Sequence, residues 1–180
     1  MLSKPNTSRV TREVRAPVQN RWIPPPTGLA KVNVDAAVSK TENRGAAAAF
    51  CRDSNGTYLG SSVVIFEGIS DPACLEALAC REALALLEDL SLSRCMVASD
   101  CESVVLEISE GSRGRHGAII TEIRARATHF VECSFVHESR ASNFEAHNLA
   151  KHMISSGVGR HLWLGTPYSI TIPVNIMFDQ

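Results

Sequence analysis

A mixed α/β sheet with helices packed on its faces is the fold class the sequence predicts, and three observations predict it. Segments of strand period run from residue 31 to residue 67. A glycine-free stretch rich in Ala, Leu and Glu follows from Pro72, and from there to Gly157 short apolar runs alternate with helical patterns. A hairpin meander followed by alternating helix and strand puts antiparallel and parallel pairs into one sheet.

Residues 1–30 lack apolar periodicity and carry Pro5, Pro17 and the run Pro24-Pro25-Pro26 before Gly28. Proline fixes φ and donates no backbone hydrogen bond, so an extended arm or linker is expected there, with the folded domain over residues 31–157. Lys31, Asn33 and Asp35 alternate with Val32, Val34 and Ala36, the period of a strand. GAAAAFCRD (45–53) and TYLGSSVVIFEG (57–68) flank Ser54-Asn55-Gly56, and an Asn-Gly pair is a hairpin signal, so three strands form a meander. The stretch Pro72 to Leu90 consists mainly of strong helix formers, with proline in the first turn. RCMVAS (94–99) reads as a short buried strand ending at Asp100. DCESVVLEISEG (100–111) reads as a helix stopped by Gly111, and AIITEIRARATHF (118–130) as another. VECSFVHE (131–138) is the last strand, and SNFEAHNLAKHMIS (142–155) a helix with Ser142 or Asn143 as N-cap and Gly157 past its end. Residues 158–180 form a C-terminal tail of strand-like character without an assigned element.

The net charge of −1 excludes a uniformly basic nucleic-acid coat, but it is a sum of unlike parts. Residues 1–21 hold Lys4, Arg9, Arg12, Arg15 and Arg21 against Glu13, a net of +4, and the rest of the chain carries −5. No stretch approaches the roughly 18 apolar residues that span a bilayer, and the N-terminus has no apolar signal-peptide core. A soluble intracellular monomer with no membrane partner is expected, in nucleus or cytoplasm. The six cysteines show no close CxxC pair, which points to reduced, mostly buried thiols rather than disulfides or zinc.

Three carboxylates do not fit a structural role. At about 100° per residue, Cys80, Ala83 and Leu87 fall within about 40° of Glu76, whereas Arg81, Glu82, Glu88 and Asp89 lie on the opposite side. Glu76 is therefore the lone charge on the buried face, where a carboxylate must be neutral, paired or bound to a cation. Asp35 lies in a strand of Val and Ala, and Asp100 ends a strand at the edge where open α/β sheets place ligands. Each alone is equally a turn, cap or dipole-paired residue. Together, three converging acids require a divalent cation between them, and hard oxygen ligands suit Mg²⁺ or Mn²⁺.

With these residues in place, WIPPPTGLAKVNVDAA (22–37), the glutamate of CLEALACREAL (74–84), the aspartate of VASDCESVV (97–105) and RASNFEAHNLAK (140–151) together resemble the plant retroelement type of ribonuclease H domain. The resemblance runs from about Trp22 to Asp179. It implies a ribonuclease H-like fold with a five-stranded mixed sheet flanked by helices, and hydrolysis of the RNA strand of an RNA–DNA hybrid with Mg²⁺ or Mn²⁺. It assigns Asp35, Glu76 and Asp100 as catalytic metal ligands, and places His147 where related domains carry a fourth aspartate. Two departures stand out: Ala36 follows Asp35 where the pattern has glycine, and His147 supplies imidazole, a poorer partner for Mg²⁺ than a carboxylate. Arg140 is a candidate phosphate contact, and Asn143, one turn before His147, is a candidate nucleic-acid contact that equally supports the site or caps the helix. The best basic patch within the fold is Arg113, Arg115 and His116, followed by Arg124 and Arg126. The alternative is a retroelement-derived nucleic-acid-binding domain with little activity, which Ala36 and His147 favour. A related exonuclease or integrase-like nuclease fits the order of the motifs less well. If the metal reading holds, the three carboxylate groups lie within about 8 Å of one another.

Overall fold

The computed structural model describes residues 21–165; the first twenty residues of the expected arm and the end of the expected tail, with Pro167 and Asp179, lie outside them. The chain forms β1 (Ala30–Ser39), β2 (Arg44–Arg52), β3 (Tyr58–Glu67), α1 (Pro72–Asp89), β4 (Arg94–Ser99), α2 (Glu102–Glu110), α3 (Gly117–Ala127), β5 (Glu132–His137), α4 (Phe144–Met153) and β6 (Gly159–Leu164). The strands make one sheet in the order β5-β4-β1-β2-β3-β6. β1, β2 and β3 are the antiparallel meander, while β4 pairs parallel with both β1 and β5.

Alternation decides which helix covers which face. Ala46, Ala47, Ala48 and Ala49 of β2 are all fully buried. Ala47 and Ala49 join Val32, Val34, Leu75, Leu84 and Ile120 in the core beneath α1 and α3, whereas Ala46 and Ala48 join Phe50, Val63, Ile65 and Leu149 beneath α4. Small side chains on this central strand let helices approach from both sides. At Gly45 even a methyl is too much, because a Cβ would lie 2.4 Å from Leu75 Cδ1 and 2.6 Å from the Ile69 carbonyl oxygen.

Two regions differ from expectation. Among the described residues the sheet has six strands rather than five, because the start of the expected tail pairs antiparallel with β3 from Gly159 to Leu164. A Cβ at Gly60 would lie 2.9 Å from the Trp163 carbonyl, so glycine there admits the extra strand. Its signal is weak in the sequence because the exposed, apolar Leu162 and Leu164 break the usual alternation. The last residues of the expected arm also pack onto the fold: Pro25 and Leu29 are buried, and Ala30 already belongs to β1.

Chain direction fixes where chemistry can occur. From β1 the chain moves sideways to β2, whereas from β4 it moves to β5 on the other side, so the order reverses between β1 and β4. Val34 is level with Ser99, which brings Asp35 to the carboxyl end of β4 at this crevice. Among the described residues, no helix is long and apolar enough to cross a membrane, and all six cysteines are free thiols.

Candidate active site

Asp35 projects from β1, Glu76 from the second turn of α1, and Asp100 from the residue after β4. One oxygen from each lies within 4.8 Å of the other two. Asp35 and Glu76 are buried and Asp100 is partly exposed, so the cluster is closed from behind and open at one side. The Ala36 backbone N–H donates to Asp35 Oδ1 at 2.9 Å and to Glu76 Oε1 at 3.2 Å. Ser99 Oγ donates to Glu76 Oε2 at 3.3 Å and accepts the Cys101 N–H at 3.0 Å. His147 Nδ1 lies 2.7 Å from Asp35 Oδ2, and Arg140 Nε donates to Asp100 Oδ2 at 3.3 Å.

Burial pushes the Glu76 carboxyl up to about 9, and the charges of Asp35 and then Asp100 act in the same direction against the opposing Ala36 N–H. Burial comes first and the acidic neighbours second: three acids this close, two of them buried, do not all ionise without a compensating cation. All-oxygen donors around an open position are the set that Mg²⁺ or Mn²⁺ takes, so the residues fit such an ion. Alanine at position 36 carries no backbone strain, since the residue lies within regular strand and is not among those with positive φ. Its N–H serves the site as a glycine's would.

The other expected site residues fare unequally. His147 on α4 joins the cluster through Asp35, with its ring partly exposed. Arg140 also reaches it, its side chain 73 % exposed and free to exchange partners. Asn143 is 0 % exposed, so as placed it offers no surface to a nucleic-acid backbone. It holds the N-cap position but makes no cap bond; its amide donates to the Val34 carbonyl at 2.7 Å instead. Arg113 and Arg115 are exposed on the loop between α2 and α3. That loop is tied to the start of α1, where His116 Nε2 lies 3.4 Å from Asp71 Oδ2, so it stands beside the helix that carries Glu76. Arg124, although exposed, and Arg126 already have partners within the fold. Arg124 donates to the Ile108 and Ser109 carbonyls, and Arg126 pairs with Glu88 and Glu122.

Several participants escape the sequence reading. Glu82, assigned to the outer face of α1, is only 7 % exposed because Arg160 of β6 covers it at 2.6 Å. Ser99, which orients Glu76, is an ordinary strand-end serine until α1 is placed beside it. Lys31 and Asn33 carry the missed signal: both are polar, both share the face of Asp35, and both are buried.

The sequence matches the family described as reverse transcriptase-like over residues 33–153, a span that includes Asp35, Glu76, Asp100 and His147. No curated protein sequence matches the chain. Among solved structures, it resembles an N-terminal RNase H domain from Mycobacterium tuberculosis with a TM-score of 0.63 and 18% identity, over 71% of this chain and 94% of that one. RNase H1 from the halophilic archaeon Halobacterium salinarum gives a TM-score of 0.63 at 18% identity, over 72% of this chain and 100% of that one. A compost-derived RNase H1, solved in complex with an RNA/DNA hybrid, gives 0.61 at 18% identity, over 68% of this chain and 94% of that one. The sheet, its helices and the matched span together show that the chain belongs to the reverse transcriptase-like family, with a ribonuclease H-like fold.

Proposed function

We propose that this domain is a metal-dependent endonuclease that hydrolyses the RNA strand of RNA–DNA hybrids. The observation that carries the reading is the convergence of Asp35, Glu76 and Asp100 within 4.8 Å, with Glu76 too crowded to ionise unaided. These residues would hold Mg²⁺ or Mn²⁺, which supplies charge neutralisation at the scissile phosphate and a nucleophilic water at neutral pH. The protein's own part is orientation. Ala36 N–H and Ser99 Oγ aim the carboxylates, and His147 holds Asp35 from the α4 side in place of a fourth carboxylate. Arg140 neutralises Asp100 until substrate arrives and then turns its exposed guanidinium to a phosphate oxygen. Arg113 and Arg115 hold the sugar–phosphate backbone beside the site, and the products carry a 5′ phosphate and a 3′ hydroxyl. The domain acts as an intracellular monomer, its basic arm serving as a nucleic-acid tether.

A second reading, a retroelement-derived domain that binds nucleic acid with little turnover, is favoured by one observation. Two of the three carboxylates already have cationic or imidazole partners, Asp100 with Arg140 and Asp35 with His147. A labelled RNA–DNA hybrid incubated with the protein and Mg²⁺ or Mn²⁺, beside Asp100→Asn, separates the two. The endonuclease reading expects cleavage of the RNA strand and its loss, by at least about a hundredfold, in the variant. No cleavage with either metal, or equal cleavage by the variant, leaves the binding domain.

A further inference from the structure

The segment just before the first strand touches the fold at a place the proposed chemistry does not use. Trp22 is partly buried, and its indole Nε1–H donates to Asn33 Oδ1 at 3.1 Å. Asn33 Nδ2 donates to Asn143 Oδ1 at 2.9 Å, and Asn143 Nδ2 donates to the Val34 carbonyl at 2.7 Å. This chain has a direction, and one residue sets it. An indole N–H only donates, so Asn33 must present its oxygen to Trp22 and its NH₂ to Asn143, which in turn must present its own NH₂ to Val34. Val34 precedes Asp35, and Asn143 lies one turn before His147, whose backbone N–H bonds to the Asn143 carbonyl at 3.2 Å.

The same segment covers the other attachments of α4. The Trp22 ring lies 5.6 Å from the Lys31 ammonium and 5.4 Å from the Arg52 guanidinium. Lys31 pairs with Glu138, just before the approach to α4, and Arg52 pairs with Glu145 in its first turn. Arg21 N–H bonds to the Ala141 carbonyl at 3.1 Å, tying the segment directly to that approach.

We infer that Arg21 and Trp22 form a clasp in which Trp22 and Asn143 are positioning residues: they lock the start of α4 onto β1 and so hold His147 against Asp35. The catalytic consequence rests on the endonuclease reading above; the clasp itself does not. Trp22→Phe is the discriminating variant, because it keeps a smaller aromatic ring beside Lys31 and Arg52 and removes the N–H donor. Nitrogen-15 NMR of the full-length metal-free chain reads the side-chain amides of Asn33 and Asn143 and the ring of His147. In the variant these signals shift or broaden while the backbone amides of Ile120 and Leu84, core residues of α3 and α1, stay in place. On the hybrid, kcat falls about tenfold with KM within about twofold of the parent, as expected of a misplaced catalytic group rather than of lost binding. Asn143 and His147 signals unchanged by Trp22→Phe, or a shift spread over the whole spectrum, overturn the clasp. Absence of hybrid cleavage by the parent chain defeats the endonuclease reading instead, and the NMR comparison still decides the clasp.

Discussion

Burying Glu76 beside Asp35 and Asp100 makes the metal-free protein sensitive to pH. Its carboxyl is raised to about 9 by burial first and by its acidic neighbours second, whereas in the unfolded chain it titrates near 4.5. Between those values the folded state keeps a proton that the unfolded state releases, so the stability present below about 4.5 is lost as pH rises towards 9. Glu76→Gln cannot ionise. In EDTA it is expected to exceed the parent by roughly 1–3 kcal/mol at pH 8 and to match it at pH 4, measured by urea unfolding. Added Mg²⁺ should raise the parent's Tm and leave the variant's unchanged, which ties the same residue to metal. His147→Asp works in the other direction: a fourth carboxylate at this position should raise Mn²⁺ affinity by roughly tenfold in calorimetry and lower metal-free stability. At this scale the sequence was informative where a charge stood alone in apolar surroundings, as Glu76 does on the buried face of its helix. It was uninformative for Glu82 and Asn143, whose burial depends on Arg160 and Asn33, partners distant in the chain.

Elements were readable when one face or one turn dictated them, and α4 shows where that stops. Its apolar face, Leu149 and Ala150, announces a helix, but its N-terminal end is fixed to the sheet by polar groups, Asn143 and the buried pair Arg52–Glu145. Burial raises the Glu145 carboxyl to about 7 even though the Arg52 charge opposes it, so desolvation outweighs pairing. Glu145→Ala strands a buried guanidinium and should cost about 3 kcal/mol or more, whereas Arg52→Met/Glu145→Leu should recover most of that loss. A double-mutant cycle by chemical denaturation checks both. On the other face, β2 meets α1 so closely that Gly45→Ala would drive a methyl into Leu75 and the Ile69 carbonyl. A loss of roughly 1–3 kcal/mol is expected there, an overpacking cost that no propensity scale contains, since alanine is the residue already used at the next four positions of the strand. β6 escaped assignment for the converse reason: among the described residues it is joined to the sheet on one side only, and half of its residues are exposed.

For the whole molecule the decisive quantity is where charge lies, because a net of −1 conceals it. Part of the body's excess acid is the carboxylate cluster itself, which bound divalent metal would neutralise. Most of the remaining arginines are already engaged: Arg52, Arg81, Arg94, Arg126 and Arg160 all pair with acids inside the fold. Arg113 and Arg115 are exposed on a loop anchored at Asp71, the N-cap of the helix that carries Glu76. Such a surface holds a polyanion through few contacts, so binding should be weak and its salt dependence shallow. Each phosphate contact contributes about 0.7–0.9 to the slope of log affinity against log salt. Arg113→Ala/Arg115→Ala should therefore reduce that slope by roughly 1.5 for an RNA–DNA hybrid in fluorescence anisotropy, while kcat at saturating hybrid stays within about twofold. An unchanged slope would mean that the backbone is held elsewhere. Deleting residues 1–20 from the Arg113→Ala/Arg115→Ala protein then shows whether the basic arm supplies the remaining dependence, since its charges and those of the loop contribute additively if both meet phosphate.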